Sequence, residues 1–260
     1  MSGFRSSSGF MSTVPTVTKN LIIINALMWA VTFVLRRFDI QLENILGLQY
    51  IGSDHFNLSQ VITYMFMHDP LNPAHVFFNM FGVYMFGRIL EQVWGPKRFL
   101  LFYMVTGIGA ALMQELMWYI DLRPMLEAAS NFATNPNMAP FLKYFSSAQG
   151  AVFSAEQAEQ AKQLVMNSLL TVGASGSVFG ILLGFGMLFP NAPLFLMFIP
   201  IPIKAKYMVI GYGLIELFAG VANFKGDNVA HFAHLGGMLF GYFLIRYWKK
   251  KGIGNGFFLG

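Results

Sequence analysis

Long apolar runs separated by polar connections dominate the chain. Six of them are long enough, or nearly so, to cross a hydrocarbon core of roughly 30 Å as helices. They cover Asn20–Leu35, His75–Leu90, Phe99–Ile120, Leu169–Phe189, Ala205–Phe224 and Val229–Trp248. This pattern predicts an all-α membrane protein, a bundle of six transmembrane helices over residues 20–248, with tails at 1–19 and 249–260. The first run is short and can extend into its polar flank. Two connections are long. Residues 36–74 carry Leu42, Ile45, Leu46, Leu48, Tyr50 and Ile51, apolar enough to lie in the interface or dip into it where protein buries it. Residues 121–168 form a polar insert with Pro124, Pro136 and Pro140, in which Ser154-Ala155-Glu156-Gln157 reads as a capping box starting a helix toward Met166.

Charge orients the bundle. Lys and Arg concentrate in cytoplasmic loops. Arg88, Lys97 and Arg98 fall between runs two and three, Lys204 and Lys206 between runs four and five, and Arg246, Lys249, Lys250 and Lys251 after run six. All of these and both termini are expected in the cytoplasm, with Arg36 and Arg37 the exceptions. Only 11% of residues are charged, against about 25% in soluble domains, which rules out an ordinary soluble fold. The net charge of +5 then reports cytoplasmic loops, and no nucleic-acid partner is expected. With no cysteine, disulfides, Cys-zinc sites and thiol nucleophiles are excluded. The Ser-rich stretch to Lys19 has no apolar core of a cleavable signal peptide. No organelle-targeting segment is evident, so the expected location is a bacterial inner membrane, with the site opening to the periplasmic or extracellular side.

Polar residues inside apolar runs are costly and point to function. Run four carries Gly173-Ala174-Ser175-Gly176 and run six carries Ala233-His234-Leu235-Gly236-Gly237. Helix rise places Ser175 about 21 Å, His234 about 18–22 Å and His75 about 20 Å from the inner edges of their runs. Asn79 shares the His75 face one turn on. Three helices thus bring polar groups to one layer, roughly 10 Å beneath the outer surface of the core. A serine is a weak nucleophile until a base takes its proton, and His234 is the base expected for Ser175. An oxyanion formed on attack needs preorganised donors, which His75, Asn79 and the Ser175 backbone N–H can supply. Gly176, Gly180 and Gly184 on run four, and Gly237 and Gly241 on run six, form small-residue strips that let helix backbones approach closely.

The chain at this point resembles the rhomboid family of intramembrane serine proteases. The resemblance rests on His75-x-x-x-Asn79, Glu91-x-x-x-Gly95, Gly173-x-Ser175-Gly176 and Ala233-His234-x-x-Gly237-x-x-x-Gly241, in that order over about residues 20–248. It implies a Ser175/His234 dyad without a required acid and oxyanion roles for His75 and Asn79; no cofactor and no metal are expected. It also implies a substrate that is itself a transmembrane helix, met in the lipid bilayer. Position 179, often tyrosine in the family, is Phe179, which keeps stacking on the histidine and loses the hydroxyl.

Other readings compete residue by residue. Ser177 reads as a packing residue. His231, three residues before His234, competes as base but lacks the glycine spacing and reads better as a residue near the membrane surface. His75, His231 and His234 are potential metal ligands, but no carboxylate or cysteine completes the set in sequence. His68 and Asp69 are expected to be solvated or to cap the cavity, and Glu115 to lie near the outer boundary. Glu216 falls close to the polar layer. It either orients His234 as a third member or is a hydrogen-bonded carboxyl facing the bundle, the reading the family-like motifs favour. At the level of the whole chain, the alternatives to a protease are a proteolytically dead relative that binds transmembrane helices, and a channel or transporter. The first typically lacks the serine or histidine, and the second calls for repeats that are absent.

Overall fold

The structure, a computed structural model, describes residues 13–134, 143–144, 154–196, 199–222 and 229–252. Its helices are α1 (Thr16–Leu35), α2 (Leu42–Leu46), α3 (Gln60–Thr63), α4 (Pro73–Gly82), α5 (Arg88–Trp94), α6 (Pro96–Thr134), α7 (Ala155–Ser168), α8 (Ser175–Leu188), α9 (Ala205–Ala222) and α10 (His231–Lys250). A wider π turn at Val83–Gly87 joins α4 to α5 in one continuous rod. Strands β1 (Leu48–Gln49) and β2 (Leu170–Thr171) pair antiparallel, as do β3 (Pro193–Leu196) and β4 (Ile199–Lys204). The fold is a helical membrane bundle. Each expected run contains a helical segment, and among the described residues three helices are apolar and long enough by themselves to cross a membrane: Thr16–Phe38, Pro96–Phe132 and Ala205–Ala222.

Several boundaries move for physical reasons. α1 starts at Thr16 because Glu91, far along the chain, caps it. The Val17 and Thr18 N–H groups donate to its carboxylate at 2.9 and 2.7 Å, and the Thr18 hydroxyl donates at 2.8 Å. These are donors a helix start otherwise leaves without partners. α4 starts at Pro73, a residue suited to the first helical position, after Asn72, whose side chain accepts from the His75 N–H. Gly95, at φ 79°, lets the chain turn from α5 into α6. α6 does not stop at Ile120 but runs through Pro124 to Thr134, so the first part of the expected polar insert is helix. Pro136 and Pro140 lie outside the described residues. The expected capping box is present, with the Gln157 N–H donating to Ser154 Oγ at 3.1 Å and the Ser154 N–H to Gln157 Oε1 at 2.9 Å.

The largest difference is at run four. Residues 169–174 are not helical, and α8 begins at Ser175. Its 14 residues rise about 21 Å, short of the roughly 30 Å core. Two features stop the helix. β2 pairs with β1, matching Leu48 with Thr171 and Gln49 with Leu170. Gly173 then sits at φ 131°, a conformation open only to glycine. The pairing ties the long 36–74 connection to the segment that leads into Ser175. The β3–β4 hairpin between α8 and α9, not expected from the apolar pattern, carries Pro200 and Pro202. Prolines fit there because both strands of a two-stranded ribbon are edges.

α6, α8 and α10 pack mutually at the centre. Phe99, Phe102 and Tyr103 of α6, Ile181 of α8 and Ile245 of α10 are almost fully buried. In lipid the hydrophobic effect does not drive this association, because tails are as apolar as leucine, so close packing and polar contacts decide it. The glycine strips provide the packing. A methyl on Gly180 would meet Thr106 of α6, and one on Gly237 would strike the Gly176 carbonyl of α8. Ser177, read as packing, is buried and donates to the Tyr103 carbonyl at 2.8 Å. By contrast, only 17% of the apolar window of α1 and of α9 is buried, so both present most of their surface outward. Polar residues within α1 are satisfied locally, Asn25 donating to Leu21 O at 2.7 Å and Thr32 to Met28 O at 2.8 Å.

Candidate active site

Helix starts bring three of the expected polar residues together. Ser175 is the first residue of α8, His231 and His234 lie in the first turn of α10, and His75 in the first turn of α4. The expected helix over run four from Leu169 is therefore corrected, since it begins only at Ser175. Ser175 and His234 stand in the first turns of their helices; the His234 N–H donates to the Ala230 carbonyl at 3.2 Å, whereas the first N–H groups of α8 lack intrahelical acceptors and the helix dipole there favours negative charge.

Ser175 Oγ lies 2.8 Å from His234 Nε2. The contact follows from packing. Gly176 and Gly237, each next to or one turn from these residues, let the α8 and α10 backbones touch. Phe179 stacks under the His234 ring, centroids 4.3 Å apart and planes 7° from parallel. Gly241, one turn beyond Gly237, faces Thr106, Phe102 and the Gly180 backbone, continuing the close approach. His234 is 7% exposed, so its ring is held by these neighbours and not by solvent.

His75 and Asn79 reach the same place from α4. Together with Ser175 and His234 they line a cavity of about 780 Å³. A methyl on Gly173 would stand 2.8 Å from His75 Nε2 and 3.7 Å from Ser175 Oγ, so the glycine is hemmed between them as well as bent. The buried Asn79 amide donates to His68 Nε2 at 3.0 Å. His68 is thus neither solvated nor a cap. It is fully buried, with its ring 5.0 Å from that of His75, and it holds Asn79 from behind. The signal available in sequence was the turn chemistry of His68-Asp69-Pro70-Leu71-Asn72-Pro73, which folds the loop back over α4. Arg36, an exception to the charge rule, forms an ion pair with Glu43 at 2.8 Å beside the cavity.

Glu216 of α9 reaches across to α10. The His231 and His234 rings both place Nδ1 against the same oxygen, Oε2, at 2.7 and 2.8 Å. His231 is therefore bound into the site and does not stand apart at the surface. Glu216, His231 and His234 also form the carboxylate-containing cluster that was not evident in sequence, with ligand-type atoms within 4.8 Å of one another. Glu115 accepts from the Ile51 N–H at 3.0 Å and belongs to the loop support, not to this site.

Chemically the arrangement offers a hydroxyl against one imidazole nitrogen, a carboxylate against the other nitrogen of that ring, and a cavity beside them. Comparison with known proteins identifies the family. A family model described as Rhomboid domain matches residues 55–119 and 140–251. The chain is 27% identical over 229 residues to RHOMBOID-like protein 12, mitochondrial, of Arabidopsis thaliana, covering 85% of this chain and 55% of that one. It is 26% identical over 237 residues to Rhomboid protein 1, mitochondrial, of Saccharomyces cerevisiae, covering 80% and 64%. A mitochondrial rhomboid protein of Schizosaccharomyces pombe, described as uncharacterised, is 26% identical over 214 residues, covering 74% and 52%. The chain thus spans between half and two-thirds of the length of these relatives. They overturn the expected bacterial inner membrane, since all three are mitochondrial proteins of a plant or a yeast. The expectation failed because residues 1–19 are Ser-rich and contain no acidic residue. Such a composition is shared by organelle-targeting segments, so it does not separate one from a cytoplasmic tail.

Proposed function

The chain belongs to the rhomboid family, and from that premise we propose that it is an intramembrane serine protease that cleaves transmembrane-helix substrates by a Ser175 nucleophile and a His234 base. The single observation that carries the reading is the 2.8 Å contact between Ser175 Oγ and His234 Nε2 at the wall of the cavity. The names of its relatives support placing it in a mitochondrial membrane.

In this reading His234 Nε2 takes the Ser175 proton as Oγ attacks the peptide carbonyl. The oxyanion forms at the start of α8, where the Ser175 N–H and the helix dipole favour it. His75 and Asn79 add donors from α4, and Asn79 keeps a second amide hydrogen beyond the one given to His68. Protonated His234 then returns its proton to the leaving amine, and water in the cavity hydrolyses the acyl-enzyme. The cavity supplies that water within a lipid-embedded fold.

The test is cleavage of a single-span substrate by the purified protein in proteoliposomes, with labelling by a fluorophosphonate. Wild type should cleave and carry the adduct on Ser175. Ser175→Ala should lose several orders of magnitude in rate while remaining folded, and Ser177→Ala should keep most activity. Cleavage at the wild-type rate by Ser175→Ala, or an adduct on another residue, would overturn the reading.

A further inference from the structure

Glu216 is an acid in a helix that otherwise faces outward. Ala205, Val209 and Glu216 are the buried residues of α9 among those described, while Ile215, Leu217 and Phe218 around it are 60%, 46% and 68% exposed. A carboxyl in such a helix is costly unless something holds it. What holds it here is two imidazoles on one oxygen.

We propose that Glu216 is the positioning residue of this site: its Oε2 fixes the ring orientation and tautomer of His234, and His231 braces the carboxylate in place. The proposal rests on the protease reading above. The contacts run in line, Ser175 Oγ to His234 Nε2 at 2.8 Å and His234 Nδ1 to Glu216 Oε2 at 2.8 Å. For Nε2 to accept the serine proton, the neutral ring must carry its own proton on Nδ1. A carboxylate oxygen only accepts, so Glu216 selects that tautomer, and it stabilises the imidazolium once the proton has moved. Phe179 fixes the plane of the ring, but stacking on an apolar face does not choose between its two nitrogens. Glu216 supplies the choice. His231, at i−3 on the same turn of α10, donates from Nδ1 to the same oxygen at 2.7 Å and keeps Oε2 from swinging away.

The same three residues are also a candidate metal cluster, but their distances do not suit a tetrahedral zinc ion. An ion about 2.05 Å from each atom would see contacts of 2.7 and 2.8 Å under an angle of about 85°, well below the roughly 109° of a tetrahedral zinc site. Both separations are those of N–H···O hydrogen bonds.

The experiment compares wild type, Glu216→Gln and His231→Gln in proteoliposomes, with Ser175→Ala and His234→Ala as references. Replacing the orienting carboxylate by its amide costs about 10⁴ in kcat in a soluble serine protease. Glu216→Gln should therefore lower kcat by about 10² or more with KM nearly unchanged, and slow fluorophosphonate labelling in parallel. His231→Gln should lose less. A folded Glu216→Gln within about threefold of wild-type kcat, or a larger loss in His231→Gln, overturns the role. Nitrogen-15 histidine NMR of the wild type gives a readout that needs no variant to fold as the native protein does. It should place the His234 proton on Nδ1, and a proton on Nε2 overturns the proposal. If the wild type neither cleaves nor labels, the protease reading fails and this role with it. If Ser175→Ala and His234→Ala are inactive but Glu216→Gln is not, only the Glu216 role fails.

Discussion

A single methyl group added at Gly237 should separate the two residues of the proposed site. The α8 and α10 backbones meet where Gly237 faces the Gly176 carbonyl. A Cβ at 237 would lie 2.7 Å from the Gly176 carbonyl carbon and 3.2 Å from its Cα. Non-bonded carbons prefer about 3.5–4.0 Å, so the shortfall is about 1 Å. The obstacle is backbone, with no rotamer to turn away, so the helices must part by about that amount. Ser175 immediately precedes Gly176, and His234 lies one turn before Gly237. A 1 Å separation would stretch their 2.8 Å contact past the range of a hydrogen bond. Misplacing reacting groups by about 1 Å costs about 10²-fold in rate, and overpacking costs about 1–3 kcal/mol of stability. The assay is the initial rate of single-span substrate cleavage in proteoliposomes, with fluorophosphonate labelling and thermal unfolding alongside. Gly211→Ala on α9 is the control, since a Cβ there meets nothing within 4 Å. Wild-type rates in Gly237→Ala, or equal damage from Gly211→Ala, would refute the reasoning.

Two further outcomes are expected. His75→Ala and Asn79→Ala should lower kcat more than they raise KM, by up to the 10²–10³-fold typical of one lost oxyanion donor; unchanged turnover in the double variant would remove the oxyanion role from both. Glu91→Ala removes an acceptor that takes three hydrogen bonds at the start of α1, so thermal unfolding should show a loss of about 2 kcal/mol with the rate per folded molecule little altered, and an unshifted melting temperature would dismiss the capping role.

Much of this arrangement is legible in sequence because intramembrane polarity is rare. Ser175, His234, His75 and Asn79 stand out against apolar neighbours, and all four come to one cavity. Their geometry is less legible. Leu169-Leu170-Thr171-Val172 is apolar enough to extend a membrane run, and a short apolar stretch has the same appearance as strand or helix. Only the pairing with Leu48 and Gln49, together with φ 131° at Gly173, sets the helix start at Ser175. The extension of α6 past Ile120 is a tertiary effect of the same kind, because α7 packs along it and shelters a stretch that its own composition marks as polar. Helix rise gives the depth of Glu216 but not its bearing, since reach across to α10 depends on how two helices are rotated against each other.

The shortness of α8 connects these points to chemistry. A helix of 14 residues that starts at the cavity wall leaves its first N–H groups without intrahelical acceptors. Leaving buried donors unpaired is expensive, and a chain under no other demand would extend the helix to the surface, as the apolar residues before Ser175 would allow. Gly173 and the β1–β2 pairing prevent that extension. Ser175, the first residue of α8, then lines the cavity together with His75, Asn79 and His234. In the proposed reaction a neutral peptide carbonyl would satisfy the Ser175 N–H only partly, whereas the oxyanion formed by Ser175 attack would satisfy it best. In that proposal the local cost of stopping the helix early would become stabilisation available chiefly in the transition state, which is the kind that accelerates a reaction instead of merely tightening binding.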